Sequence, residues 1–132
     1  MIKVVIDTNV LVSAAFLHPN SKPSQIVELI ISNNLTLCYS AAIMVEYQTV
    51  LFRPKFKFNI GTLKLWLKSL TERGQIVNPV PSIFDLPDES DRVFYDVAKA
   101  CNAYLITGNI KHYPEEPFIL TPAQFLTLFE NQ

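Results

Sequence analysis

One hundred and thirty-two residues give room for one folded unit and no second core. Hydrophobic residues make up 49% and charged residues 17%, which excludes a disordered chain, and a core of this size needs neither disulfides nor a structural metal. Eleven Lys and Arg against twelve Asp and Glu exclude a globally basic nucleic-acid binder while leaving local asymmetry open.

Ile2 to Ile6 is a short β-branched run that predicts a central strand ending at Asp7-Thr8-Asn9. The apolar run from Val10 to Leu17 is broken by Ser13. Neither it nor the N-terminal run has the form of a secretory segment or a membrane span, so the expected compartment is the cytoplasm. Ser24 to Ile31 carries Ile26, Leu29 and Ile30 at helical spacing, and Leu35 to Tyr39 reads as a second strand. Ser40 caps a helix from about Ala41 to Phe52, which stops near Arg53 because Pro54 disfavours the α region for its predecessor. Ile60 to Arg73 is a further helix closed by Gly74 as its C-terminal cap, followed by a strand from Gln75 to Asn78 and the Pro79-Val80-Pro81 turn. Ser90 to Cys101 predicts a helix, Ala103 to Ile106 and Phe118 to Leu120 predict strands, and Thr121-Pro122 opens a last helix to about Phe129. Cys38 and Cys101 have no CxxC partner and are expected to be buried and reduced; His18 and His112 lack metal-ligand spacing and are expected on the surface or in packing roles.

This alternation predicts an α/β fold with a parallel sheet and helices on both faces, in which ligands bind beyond the carboxyl ends of the strands. Asp7, Thr8 and Asn9 leave one strand there, and Thr107, Gly108 and Asn109 leave another, although either group could serve only as a turn or cap. Glu46 points along an otherwise apolar stripe beside Ala42, Ile43 and Val50, where a carboxylate needs a partner. Asp91 lies near Phe94, Tyr95 and Ala98 at the margin of an apolar arc, or is simply a first-turn acid favoured by the helix dipole. Asp96 shares a face with Arg92 and Lys99 and reads as a solvated charge, and Asp88 and Glu89 read as loop acids.

Asp7, Glu46 and Asp91 could therefore converge on one cleft with Asn109. Carboxylates about 4 Å apart repel by about 4 kcal/mol per pair at an effective dielectric of about 20, so protonation or a divalent cation must relieve them. An all-oxygen set without His or Cys suits Mg²⁺ or Mn²⁺ rather than Zn²⁺ and fits metal-assisted phosphodiester hydrolysis. Residues 53 to 73 hold six of the eleven basic residues, including Arg53, Lys55 and Lys57, with Phe52, Phe56, Phe58 and Trp66 among them. That segment is the candidate RNA contact, with the solvated face of an amphipathic helix as the alternative.

Four short motifs in order resemble one family: Ile6-Asp7-Thr8-Asn9-Val10-Leu11-Val12-Ser13-Ala14, the Glu46-Tyr47 pair before Leu51 to Phe56, Asp88 to Ala98, and Leu105-Ile106-Thr107-Gly108-Asn109. Over nearly the whole chain they look like the PIN domain, in the branch of toxin components of prokaryotic toxin-antitoxin pairs related to the VapC ribonucleases. The resemblance implies one domain over residues 1–132, a three-layer α/β/α sandwich with a central, mainly parallel sheet, and Mg²⁺- or Mn²⁺-dependent RNA cleavage. It makes Asp7 and Asp91 the primary metal ligands, with Glu46 completing the acidic set. Thr107 and Asn109 occupy the fourth motif, and Asn9 supports or positions substrate. Many relatives have aspartate where this chain has Asn109, and the loss of that charge favours a single tightly held ion. A cognate antitoxin and a homodimer are the expected partners. The alternative from another class is a catalytically weak RNA-binding or protein-interaction module that keeps the fold. A phosphatase using Asp7 as nucleophile fits poorly, because no second aspartate follows two residues later.

Overall fold

Strand β1, Lys3–Ile6, is buried over its last three residues and occupies the centre of the sheet. The structure, a computed structural model, describes residues 1–16, 18 and 20–132; Leu17, the end of the interrupted apolar run, lies outside them. The chain continues through α1 (Thr8–Ala15), α2 (Lys22–Ile31), β2 (Thr36–Tyr39), α3 (Ala41–Leu51), α4 (Ile60–Thr71), β3 (Gln75–Ile76), α5 (Arg92–Cys101), β4 (Tyr104–Ile106), β5 (Ile119–Leu120) and α6 (Pro122–Glu130). The five strands are all parallel in the order β3-β2-β1-β4-β5. Successive crossovers run outward from β1 to β3, then the chain returns through α5 to β4 on the other side of β1. Because parallel crossovers are right-handed, reversing the direction of travel puts α5 on the opposite face from α1 and α2, which gives the α/β/α sandwich. The reversal makes the gap between β1 and β4 the topological switch point, where the two neighbouring chain ends part and a crevice opens.

Helix α1 is a departure from the sequence reading, which placed no helix there. Val10, Leu11, Ala14 and Ala15 are buried while Asn9 and Ser13 are exposed, a helical period packed against α2 and α3. The β-branched run conceals that period, and only Asp7 separates strand from helix. Gly74 also has a different role from the one expected. Helix α4 ends at Thr71 with Glu72 as its cap, and Gly74 has no positive φ. A methyl group at Gly74 would stand 2.7 Å from the carbonyl oxygen of Leu37, so the glycine permits close approach to the backbone of β2. The solvated Asp96 is likewise corrected: it is buried and its carboxylate accepts from the Ser82 backbone N–H at 3.0 Å. Arg92, one turn earlier on α5, donates to the Ser82 carbonyl and side chain and to the Phe84 carbonyl, so the 82–84 segment is fastened to α5.

The core joins both helical layers through Val4, Val5, Ile6, Leu37, Leu105 and Ile106, all nearly or wholly excluded from solvent. Cys38 and Cys101 are free, buried thiols lying side by side, and burial followed by the Cys101 neighbour pushes the Cys38 thiol up to about 12, which leaves it inert. Among the described residues no helix is long and apolar enough to cross a membrane.

Candidate functional site

Asp7 ends β1 and caps α1, so its position is set by two elements at once. Its backbone N–H donates to the Ile106 carbonyl at 2.9 Å, which carries the β1–β4 ladder one residue past the strand. Its side chain is buried and accepts three hydrogen bonds. Oδ1 takes the Thr8 N–H at 2.8 Å, and Oδ2 takes the Thr107 hydroxyl at 2.8 Å and the Tyr113 hydroxyl at 3.0 Å. Thr107, fully buried at the end of β4, accepts in turn from the Asn109 backbone N–H at 3.0 Å. Burial, and then the Asp7 charge, push the Tyr113 phenol far upward, so it remains a protonated donor.

Asp91 faces Asp7 from the far side of the crevice. It closes a 3-10 turn, Glu89–Asp91, and stands at the N-terminus of α5, yet its side chain caps no helical N–H. Burial first, then Asp7 and Asp88, raise its carboxyl from 3.8 to about 6, against the opposing pull of His112. Its Oδ2 is buried with no hydrogen-bond partner among the described residues. His112 Nδ1 is 3.6 Å from that oxygen, within ion-pair range but too long for a hydrogen bond. An acceptor oxygen held out of water without a donor is costly, and it is the feature that a divalent cation would satisfy. With Asp7 opposite, the all-oxygen donor set fits Mg²⁺ or Mn²⁺, which keep several waters and take one or two protein carboxylates.

The other expected site residues separate into those at the crevice and those outside it. Asn9 is exposed on α1, but its side-chain amide lies against Gly108, about where a Cβ on that glycine would make ordinary contact at 3.6 Å. Asn109 is exposed and contributes its backbone to Thr107. Glu46 is half-buried on α3, adjacent to Tyr47, whose buried hydroxyl donates to the Ile6 carbonyl at 2.5 Å and fastens α3 to the end of β1. Glu46 itself has no hydrogen bond or ion pair among the described residues, and no group of three His, Cys, Asp or Glu side chains there is close enough to share an ion. Asp7 and Asp91 are thus brought together, and Glu46 remains outside their direct contact. Sequence reasoning missed Tyr113 and the approach of His112 to Asp91. Both follow the fourth motif, His112 at the end of a 3-10 turn, Ile110–His112, and Tyr113 as the extended residue after it, and no periodicity marks them.

The basic segment lies elsewhere. Arg53, Lys55 and Lys57 are exposed and have no ion-pair partner among the described residues. Lys55 sits over the Phe56 ring at 5.2 Å, and Phe56 and Phe58 stack at 5.7 Å and meet Phe16, at the end of α1, at 5.7 and 5.0 Å. Phe16 is 45% exposed.

Three comparisons bear on this arrangement. The PIN domain family model matches residues 3–111. The uncharacterized protein MJ1680 of Methanocaldococcus jannaschii is 36% identical over 111 residues, covering 82% of this chain and 71% of that protein. The crystal structure of VapBC2 from Rickettsia felis bound to a DNA fragment from their promoter includes a chain of similar fold. Its TM-score is 0.58 at 21% identity, over 91% of this chain and 97% of that one. The family model runs through both strand ends that build the crevice, and the chain belongs to the PIN domain family.

Proposed function

We propose that this protein is a cytoplasmic, Mg²⁺- or Mn²⁺-dependent endoribonuclease and the toxin of a type II toxin-antitoxin pair. The observation that carries this reading is the buried, donor-less Oδ2 of Asp91 facing Asp7 across the switch point. A divalent cation held there by Asp7 and Asp91 would supply the Lewis acidity that lowers the cost of charge developing on a phosphodiester. Glu46 and Asn109 are proposed to reach the same centre through water, Glu46 as the third member of the acidic set and Asn109 as a neutral oxygen donor. Thr107 orients Asp7, and Asn9 lines the approach beside Gly108.

RNA is proposed to enter over Arg53, Lys55 and Lys57, whose uncompensated charges suit phosphates, while the Phe16, Phe56 and Phe58 rings suit unpaired bases. The solved neighbour is part of VapBC2, and by that likeness an antitoxin is proposed to cover the acidic crevice, with the chain pairing as a homodimer. The test is cleavage of single-stranded RNA by the purified protein with Mg²⁺, Mn²⁺ or EDTA. Products are expected only with a cation, and Asp7→Asn is expected to lower the rate by about a hundredfold or more. RNA binding without cation-dependent products would replace this reading with that of a binding module that keeps the fold.

A further inference from the structure

The hydrogen bonds at Asp7 restrict how that residue can meet a cation. A carboxylate offers about four lone-pair sites, two on each oxygen. On Asp7 Oδ2 both are taken, one by the Thr107 hydroxyl and one by the Tyr113 hydroxyl. On Oδ1 one is taken by the Thr8 N–H, which leaves a single free site. We infer that Tyr113 is a positioning residue that closes the second oxygen of Asp7, so that Asp7 engages a cation through Oδ1 alone and the centre selects Mg²⁺ over Ca²⁺.

The selectivity follows from coordination chemistry. Ca²⁺ takes six to eight oxygens in a loose geometry and readily uses both oxygens of one carboxylate. Mg²⁺ demands a tight octahedron and is content with one oxygen from each of one or two carboxylates. A carboxylate with one oxygen blocked penalises the first ion and spares the second. The block is firm because the Tyr113 ring is buried, so its hydroxyl does not exchange its bond to Asp7 for water. Thr107 closes the other site on the same oxygen, but its hydroxyl also receives the Asn109 N–H, and its removal loosens the loop as well. The Tyr113 hydroxyl has no other hydrogen bond among the described residues, so Tyr113→Phe removes the block and little else.

The inference rests on the proposed cation site, and the experiment separates the two. Calorimetric titration of the unmodified protein and of Tyr113→Phe with Mg²⁺, Mn²⁺ and Ca²⁺ gives the ratio of Ca²⁺ to Mg²⁺ affinity without any turnover. The substitution is expected to raise that ratio by about tenfold, the scale of one charge-assisted hydrogen bond. Thr107→Val is expected to move it the same way, which keeps the test open should Tyr113→Phe fold poorly in thermal melts. Mg²⁺ binding by the unmodified protein with an unchanged ratio in both folded variants overturns the role of Tyr113 and leaves the proposed function standing. No uptake of any of the three ions by the unmodified protein overturns both.

Discussion

The end of β1 and the start of α5 each present one aspartate to the same crevice, and they hold it in opposite ways. Asp7 is over-determined: strand ladder, helix cap and two hydroxyls fix it, and three donors compensate its burial. Asp91 is under-compensated: one oxygen has no donor among the described residues, burial and then two other acids raise its carboxyl, and His112 stands just beyond hydrogen-bonding range. The difference teaches that the fold builds one aspartate as a fixed reference and stores unfavourable electrostatics in the other. Under the proposed function, a site of this kind gives up stability in return for affinity toward a divalent cation.

The contrast is sharpest in the metal-free protein at neutral pH. Asp7→Asn replaces one of two acceptor oxygens with an N–H₂ that faces at least one of the three donors, and a buried mismatch of this sort costs about 1–3 kcal/mol. Asp91→Asn removes the charge that burial and Asp7 oppose, so it is expected to stabilise the same protein. Opposite signs in chemical denaturation, with both variants losing cation-dependent cleavage, are the expected result. Destabilisation by both would show that Asp91 is compensated after all.

Much of this arrangement was legible in the chain, and the unread parts share a physical cause. The strand ends at Asp7 and Thr107 follow from short β-branched runs that stop at small polar residues, and the parallel sheet follows from the alternation of elements. Helix α1 was hidden because its caps and buried positions overlap a run that also suits a strand. Asp96 and Tyr113 were missed for a different reason. Their partners, Ser82 and Asp7, are 14 and 106 residues away, and helical periodicity reports only which face a side chain takes, not which loop folds over it. Gly74 was given a local, conformational role when its constraint is the distant carbonyl of Leu37. Glu46 stands half-buried on α3 beside the buried Tyr47, and an apolar stripe carries no information about how far its residues stand from another helix.

A second prediction uses pH to isolate the under-compensated aspartate. The Asp91 carboxyl is raised from 3.8 to about 6 on folding. Its contribution to stability is therefore fully present below the unfolded value and is lost as pH rises through about 6. Asp88 and Glu89, both exposed and both lowered, act in the opposite direction at more acidic pH. The difference between the unmodified protein and Asp91→Asn cancels those neighbours. In EDTA, thermal midpoints of the unmodified protein are expected to fall relative to Asp91→Asn between about pH 4 and pH 7, by a few degrees for a domain of this size. Added Mg²⁺ is expected to remove the fall above about pH 6. A difference that does not change with pH would mean that Asp91 titrates as an ordinary exposed acid.

The smallest effect is expected far from either aspartate, and it tests whether the basic segment serves the same chemistry. Lys57 occupies the left-handed region at φ 56°, where a non-glycine residue pays about 1 kcal/mol, and it carries one of three exposed charges that no acid answers among the described residues. Were the segment merely a solvated surface, Lys57→Gly would relieve the backbone and do nothing more. As an RNA contact, the same substitution should weaken binding while leaving stability equal or higher, and should lower the salt dependence of single-strand affinity by about 0.7 per lost phosphate contact. Lys55→Ala should do likewise and also uncover the Phe56 ring. Neither should alter Mg²⁺ uptake, because neither lysine touches Asp7 or Asp91. Filter-binding titrations over a range of salt read the slope directly, and an unchanged slope in both variants would confine RNA recognition to the crevice itself.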